Sequence, residues 1–186
     1  MAQFIDKNLP RRSFLRGHFL NALKSEQVKR QGYHAIRPPW ADLANFSEKC
    51  TACQKCITQC ETKILVSDTN GYPEVNFSAG RGECTFCQAC VNSCEAGVFR
   101  PITEPAWQHK VEIGDNCLTQ SHIECRSCED SCESRAIKFR RAVGGIALPI
   151  LELDRCNGCG ACLSVCPTQA IGIIDDESIC NKSNNG

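Results

Sequence analysis

The chain has 186 residues, 17 cysteines, 6% aromatic residues and a formal net charge of zero. Its length allows one large domain or two small ones, and it contains no run of about 18 apolar residues that could form a membrane-spanning helix. Two modules of roughly 60 residues each would have marginal apolar cores. We therefore expect bound metal to supply much of the folding free energy and the metal-free chain to be poorly folded.

Residues 1–42 form a basic N-terminal arm with a net charge of +5, whereas residues 43–186 have a net charge of −5. Residues 10–17 are similar to a twin-arginine export motif, but the apolar segment of about 7–15 residues that an export signal needs is missing. The sequence therefore predicts a cytoplasmic protein. One interpretation of the arm is a helix that forms on binding a partner; the other is a basic, partly disordered terminus. The candidate partner contacts are Arg11, Arg12, Phe14, Leu15, Arg16 and Phe19.

Four cysteine motifs account for 16 of the 17 cysteines. Motifs 1, 2 and 4 have the spacing C-x2-C-x2-C-x3-C of bacterial iron–sulfur proteins, in which the first three cysteines ligate one 4Fe-4S cluster and the fourth ligates another. Motif 3 is stretched, with seven residues in its first gap. The sequence thus predicts four 4Fe-4S clusters. Their ligands are Cys50, Cys53, Cys56 and Cys60 in motif 1, Cys84, Cys87, Cys90 and Cys94 in motif 2, Cys117, Cys125, Cys128 and Cys132 in motif 3, and Cys156, Cys159, Cys162 and Cys166 in motif 4.

Other interpretations of these cysteines fit the spacing less well. A disulfide framework does not require gaps of two, two and three residues, and structural zinc prefers two ligand pairs well apart in sequence. Motif 3 stays open to weaker cluster binding or to a different metal. Cys180, in the polar tail, is interpreted as a bystander thiol. The histidines, which have no ligand spacing and are interpreted as surface residues, are His18, His34, His109 and His122; the last lies inside motif 3 and is a minor candidate ligand.

Short strands are predicted around the motifs. A hairpin is expected from residues 64–66 and 75–77 around an Asn-Gly turn, followed by a brief strand at Val98 and Phe99 and a linker with Pro101 and Pro105. Further strands are predicted at residues 110–113, 136–140, 150–153 and 170–174. We therefore expect an α+β fold with two tandem bacterial-ferredoxin-like modules, each carrying two clusters. The predicted boundaries are residues 1–42 for the arm, 43–103 and 104–175 for the modules, and 176–186 for a flexible tail.

The motifs could pair within each module, or motifs 1 and 4 could pair around motifs 2 and 3. The short hairpins favour crossed ligation within each module, because both cluster loops are attached to the same two-stranded ribbon. The expected partners for the first three cysteines of motifs 1 to 4 are, in order, Cys94, Cys60, Cys166 and Cys132. Only in motif 4 is the last cysteine followed by proline, Pro167. One interpretation is that this proline stiffens the chain where it leaves the loop. The other is that the glutamates at the same position in the other motifs lower the reduction potentials of their clusters. Those glutamates are Glu61, Glu95 and Glu133.

No catalytic arrangement accompanies the motifs. The chain lacks a phosphate loop, a dinucleotide fingerprint, a flavin motif and a Cys/His nucleophile pair, and four cysteines at every predicted cluster leave no open iron position. No nucleic-acid partner is predicted. Two classes of function remain: an accessory protein whose clusters act on a folding client, and an electron carrier that serves an oxidoreductase.

Several segments are distinctive beyond the cysteine spacing. They are the arginine pair near the start, RPPW at residues 37–40, GYP at 71–73, IGDNCL at 113–118 and ECRSCEDSCE in stretched motif 3 at 124–133. These segments resemble the NapF family, the ferredoxin-type accessory proteins of periplasmic nitrate reductase systems. The resemblance implies a cytoplasmic protein with four 4Fe-4S clusters that binds the catalytic subunit of periplasmic nitrate reductase before its export and helps that subunit to mature. The alternative is a ferredoxin-type electron carrier.

Overall fold

The computed structural model describes residues 35–141 and 145–174. The candidate partner contacts in the arm, the tail and Cys180 lie outside these ranges, so the expectations about them stay predictions. The described residues from Ile36 onward belong to one compact unit, and the expected mixture of helices and strands is confirmed. Within the described ranges, no helix is both long and apolar enough to cross a membrane.

In the N-terminal half, defined as residues 36–106, short helices flank one β-hairpin. The elements are α1 (Phe46–Lys49), α2 (Lys55–Gln59), β1 (Leu65–Ser67), β2 (Pro73–Val75) and α3 (Ala89–Asn92). The two strands are antiparallel, with Leu65 opposite Val75, so the predicted hairpin is confirmed. Its second strand ends earlier than expected, because the side chain of Asn76 accepts a hydrogen bond from the N–H of Ser78 and turns the chain.

The carboxylate of Asp68 holds the turn of this hairpin. Its Oδ1 accepts hydrogen bonds from the N–H groups of Asn70 and Tyr72 at 2.8 and 2.9 Å, the local pattern that makes aspartate frequent in turns. Its Oδ2 accepts a hydrogen bond from Arg37 Nη1 at 2.9 Å. The hairpin is thereby tied to the beginning of the described chain.

The two ends of the N-terminal half meet at a single bridge rather than at a strand pair. The strand predicted at Val98 and Phe99 is wrong in extent, since only an isolated antiparallel bridge between Ala41 and Phe99 is formed. Hydrogen bonds from Arg100 N to Trp40 O, at 2.7 Å, and from Trp40 N to Ala106 O, at 2.8 Å, complete the contact.

The C-terminal half, residues 107–141 and 145–174, contains two separate strand pairs. Its elements are β3 (Lys110–Ile113), a 3-10 helix (Leu118–Ser121), α4 (Ser127–Asp130), β4 (Ile137–Arg141), β5 (Ala147–Leu151), a 3-10 helix (Leu153–Arg155), α5 (Ala161–Ser164) and β6 (Ile171–Ile174). Strand β3 pairs with β6 and β4 pairs with β5, both antiparallel. All four predicted strands are confirmed, with ends shifted by up to three residues.

Each half buries a small apolar core to which cysteines contribute. In the N-terminal half, Ile64 and Val75 are only 1% and 2% exposed and pack in a cluster that includes Cys60 and Cys90. The C-terminal core includes Val111 and Ile137 together with Cys128, Cys156 and Cys162. Leu163 of α5 contacts both cores. Because the cysteine side chains lie inside the cores, the cysteine sites and the fold depend on each other.

Candidate metal centres

Motifs 1, 2 and 4 share one loop conformation. In each motif, the residue before the second cysteine and the residue after it have positive φ angles, a left-handed conformation that side chains other than glycine rarely adopt. The angles are +52° and +61° at Ala52 and Gln54, +53° and +63° at Phe86 and Gln88, and +76° and +85° at Gly158 and Gly160. Two left-handed residues wrap the chain tightly enough for three cysteines to face the same volume, and α2, α3 or α5 begins directly afterwards.

The backbone after the last cysteine has the same conformation in all four motifs. The third residue after that cysteine is left-handed in every motif, with φ of +58° at Lys63, +63° at Gly97, +52° at Arg135 and +52° at Gln169. This conformation is the same whether proline or glutamate follows the cysteine. Pro167 is therefore not needed to form the exit of the loop.

Motif 3 reaches its position by a different route. Its inserted residues fold as the 3-10 helix Leu118–Ser121, which ends at left-handed His122. The N–H of Ile123 donates to the carbonyl of Leu118 at 3.0 Å and closes this turn. Arg126, before α4, is not left-handed, with φ of −135°. The long gap of motif 3 is thus a folded element that returns the chain from Cys117 to Cys125.

Two sets of four cysteines each line a cavity. Site 1 consists of Cys50, Cys53 and Cys56 with Cys94, and its cavity is closed by apolar side chains that include Phe46 and Val98. Site 3 consists of Cys117, Cys125 and Cys128 with Cys166, and its cavity is closed by Ile113, Phe139 and Ile171 among others. In both sets, three cysteines come from one motif and the fourth from the other motif of the same half.

The other eight cysteines group in the same manner. Site 2 consists of Cys84, Cys87 and Cys90 with Cys60, and site 4 of Cys156, Cys159 and Cys162 with Cys132. Burial, together with the charges of Cys60 and Cys87, raises the pKa of the Cys84 thiol to about 12. Burial likewise raises the pKa of Cys162 to about 12, with added repulsion from Cys159, Cys156 and Cys132. The structure therefore brings the cysteines together as the crossed arrangement requires and not in the nested arrangement.

The composition of the sites suits a 4Fe-4S cluster. Among the described residues, no three cysteine, histidine or acidic side chains are placed to share one metal ion. A tetrahedral zinc ion would draw its four thiolates to about 2.3 Å from one centre. In a 4Fe-4S cluster each cysteine binds a different iron atom, so the thiolates lie farther apart. The four cysteines and the largely apolar cavity lining at sites 1 and 3 are the ligand set and surroundings that such a cluster takes.

Several cysteines have a hydroxyl group two residues further along the chain. This contact occurs at the last cysteines of motifs 1, 3 and 4 and at the first cysteine of motif 3. The Sγ–Oγ distances are 3.5 Å for Cys60 and Thr62, 3.4 Å for Cys132 and Ser134, 3.7 Å for Cys166 and Thr168, and 3.3 Å for Cys117 and Thr119. Cys94 has Ala96 in that position. A hydroxyl that donates to a ligating sulfur stabilises its negative charge and tunes a cluster. Sequence reasoning missed these residues, although the pattern C-x-[ST] was visible.

Filling the sites must release protons. Burial raises the pKa of the Cys56 and Cys128 thiols to about 11 and that of Cys90 to about 12. At Cys166 burial also opposes the thiolate, but hydrogen bonds from the N–H of Ala170 and from Thr168 lower its pKa overall. Since metals bind thiolates, most of these thiols lose a proton only when metal enters.

The histidines are arranged differently from the expectation. His109 is buried, at 6% exposure, and its Nε2 lies 2.9 Å from the carbonyl oxygen of Gly158, so its assignment to the surface is wrong. It packs against the loop of motif 4 because Trp107 and Phe77 cover its ring. His122 is exposed and does not line the cavity of site 3. His18 and His34 lie outside the described residues.

Comparisons with known proteins agree with iron–sulfur chemistry. A family model described as 4Fe-4S binding domain matches residues 47–63 and 81–97, and one described as 4Fe-4S dicluster domain matches residues 123–170. The second match begins after Cys117, which is the cysteine that the insertion of motif 3 displaces in sequence.

Relatives are similar over most of the chain. A ferredoxin-type protein NapF of Haemophilus influenzae is 48% identical over 170 residues, which cover 91% of this chain and 96% of the relative. The ferredoxin-type protein NapF of Escherichia coli K12 is 46% identical over 143 residues, 76% of this chain and 86% of the relative. An uncharacterised protein of H. influenzae is 29% identical over 168 residues, 88% of this chain and 90% of the relative.

Proposed function

The chain belongs to the NapF family of ferredoxin-type 4Fe-4S proteins, and from this premise we propose that it carries four 4Fe-4S clusters on two tandem ferredoxin-like modules. We propose residues 43–103 and 104–175 as the modules. Its function is that of a cytoplasmic accessory protein that binds the catalytic subunit of periplasmic nitrate reductase and assists its maturation before export. Each cluster supplies reversible one-electron redox chemistry when bound.

The grouping of the cysteines is the observation that carries this proposal. Sites 1 and 3 each line an apolar cavity. Three cysteines of site 2, namely Cys60, Cys84 and Cys90, pack together in one apolar cluster, and three of site 4, namely Cys132, Cys156 and Cys162, pack together in the other. Four sites of the same composition support four clusters of the same type. Because every ligand position is a cysteine, no iron is left open for a substrate, which supports a role outside catalysis.

Anaerobic reconstitution tests the cluster count. We expect about 16 iron atoms per chain, four in each cluster, with a matching content of inorganic sulfide. Cys125→Ala and Cys159→Ala should each remove one cluster, from sites 3 and 4 respectively. Saturation at three clusters in the unmodified chain, with no further loss in Cys125→Ala, would show that motif 3 does not hold a cluster.

The basic arm supports binding of an acidic partner. Residues 1–42 carry a net charge of +5, and apolar residues at positions 14, 15 and 19 alternate with the arginines at 11, 12 and 16. Such a segment suits an amphipathic helix that docks its apolar side chains while the arginines meet carboxylates. Because exposed charge pairs are screened by salt, the association should weaken as ionic strength rises.

Co-purification with the unexported catalytic subunit tests the accessory role. Deletion of residues 1–30 should leave the iron content unchanged and reduce the amount of subunit bound. The triple variant Arg11→Gln, Arg12→Gln and Arg16→Gln should have the same effect, whereas the matched control Lys7→Gln, Lys24→Gln and Lys29→Gln removes as much charge and should bind nearly normally. Unchanged binding after deletion would exclude the arm as the docking segment. Recovery of the full chain from the periplasm would contradict the compartment.

Exposure of ligands favours a second candidate function, electron delivery. Cys53 of site 1 and Cys87 of site 2 are exposed, so electrons could reach these sites from a redox partner at the surface. Cys159→Ser separates the two functions: an accessory protein should keep binding the subunit after losing a cluster, whereas an electron carrier should lose its ability to reduce the partner. The readouts are co-purification and the reduction rate of the subunit by the reduced protein.

A further inference from the structure

Given the proposal that each site holds a cluster, we propose that the four sites form one continuous series in the order site 1, site 2, site 4, site 3. The two halves are then connected electronically through sites 2 and 4, and an electron that enters one half can reach the other within the same chain. Each transfer is a one-electron exchange between neighbouring sites. One site is oxidised as the next is reduced, and no bond is made or broken.

The connection between the halves lies at their cysteine loops. The N–H of Cys84, the first cysteine of site 2, donates a hydrogen bond to the carbonyl oxygen of Cys159, a ligand of site 4, at 2.9 Å. The two ligand-bearing residues are therefore in direct backbone contact, although 75 positions separate them in sequence. We call this contact of the motif 2 and motif 4 loops the junction.

Close packing fixes the junction. A Cβ atom added to Gly160 in the motif 4 loop would lie 2.1 Å from the ring of Phe77, which belongs to the N-terminal half. A Cβ atom on Gly158 would lie 2.8 Å from Nε2 of His109. The ring of Trp107 lies between these contacts, with its centroid 6.2 Å from Phe77 and 5.0 Å from His109. The region between sites 2 and 4 thus contains backbone atoms and packed aromatic rings.

Within each half, the sites are also neighbours. Cys56 of site 1 packs against the same apolar cluster as Cys60 and Cys90 of site 2, and Cys128 of site 3 belongs to the same buried cluster as Cys156 and Cys162 of site 4. Site 2 therefore adjoins both site 1 and site 4, and site 4 adjoins both site 2 and site 3. These three contacts connect the sites in the proposed order, with sites 1 and 3 at its ends.

Electron paramagnetic resonance of the full-length holoprotein tests the series, because reduced clusters that are neighbours broaden and split each other's signals. The double variant Cys53→Ala and Cys125→Ala retains sites 2 and 4. After anaerobic reconstitution and reduction with dithionite, it should give a spin-coupled spectrum. The matched variant Cys87→Ala and Cys159→Ala retains sites 1 and 3, also one in each half, and should give uncoupled signals. Identical uncoupled spectra from both would overturn the series.

Single variants provide the same distinction with less disturbance of the fold. In Cys87→Ala the loss of site 2 isolates site 1, so we expect one uncoupled signal per chain. In Cys53→Ala site 2 keeps its neighbour site 4, and no uncoupled signal should appear. Two electronically separate halves would instead give an uncoupled signal in both variants. Iron content is measured on every sample: failure of the unmodified chain to bind clusters would refute the proposed function, whereas full clusters without coupling would refute only the series.

Discussion

In the C-terminal half, strands β3 and β6 pair over four residues and join the two ends of the segment that carries sites 3 and 4. The N-terminal half carries sites 1 and 2 with the same crossed grouping of cysteines, but its ends meet at one bridge between Ala41 and Phe99. Side-chain contacts between the two ends replace the missing sheet, as in the hydrogen bond that Trp40 Nε1 donates to the carbonyl oxygen of Glu104 at 2.9 Å. The difference teaches that a cysteine site needs a fixed hairpin and two loops, whereas the closing strand pair can be replaced by side-chain contacts.

Removal of the clusters should have the largest effect on the difference between the two halves. We expect both halves to lose their packing when a chelator and an oxidant strip the metal, because the cysteines belong to both cores. Residual structure should survive longer in the C-terminal half, where the pairs β3–β6 and β4–β5 cover four and five residues, than in the three-residue pair β1–β2.

Hydrogen exchange measured by mass spectrometry on the holoprotein and the stripped protein checks this expectation. The holoprotein serves as the reference for each peptide. Slower exchange in the β1–β2 hairpin than in β3–β6 after stripping would show that the N-terminal half does not depend more strongly on its clusters.

Loss of the Arg37–Asp68 contact should have an intermediate effect, confined to the N-terminal half. Asp68→Ala removes the hydrogen bond from Arg37 and both turn hydrogen bonds, which we expect to destabilise the protein by about 1–3 kcal/mol. The matched control Glu95→Ala breaks the exposed pair of Glu95 with Lys55 and should change stability little, because solvent screens such pairs. Anaerobic urea unfolding measures both. Equal effects would mean that Asp68 does not hold the hairpin.

The stability lost in Asp68→Ala should depend on pH, because the carboxyl of Asp68 titrates. Burial opposes its charge, but hydrogen bonds from Arg37 and the turn lower its pKa below the ordinary value. A carboxyl with a lowered pKa contributes stability above its unfolded pKa of about 4 and loses it as the pH falls through the folded value. The deficit of Asp68→Ala should therefore stay constant from about pH 8 to about pH 5 and shrink in stronger acid. A deficit that already shrinks near neutral pH would contradict this assignment.

The smallest predicted effect concerns the hydroxyl that site 1 lacks at its fourth cysteine. Ala96→Thr should place a donor near Cys94, as Thr62 does for Cys60, and make the potential of site 1 more positive. A hydrogen bond of about 1 kcal/mol corresponds to roughly 40 mV, since about 59 mV changes a one-electron equilibrium tenfold. Ala96→Val has the same shape without the hydroxyl and is the control. Redox titration followed by electron paramagnetic resonance measures the shift, and equal shifts in both variants would exclude the hydroxyl as the cause.

The sequence by itself determined the sixteen candidate ligands, and its short hairpins favoured the crossed grouping over the nested one. The first three cysteines of motifs 1, 2 and 4 are separated by two residues and face one volume, because the chain between them is too short to do otherwise. The hairpin around Asp68 was equally local, since its turn depends on residues within four positions. The exit of each loop is local too, and the structure shows it to be the same after Pro167 as after Glu61.

Only the tertiary structure decided how the halves meet. The contacts of Phe77 with the loop at Gly160, and of His109 with Gly158, join residues 49 or more positions apart, and neither follows from a periodic pattern. The same packing buried His109, which is predicted at the surface because the histidines have no ligand spacing, and it brought Cys84 against Cys159. Motif spacing fixes only which three thiols of motifs 1, 2 and 4 share a site, because it acts over a few residues. The order of the sites depends on side chains that pack across the molecule, so the folded chain alone could establish it.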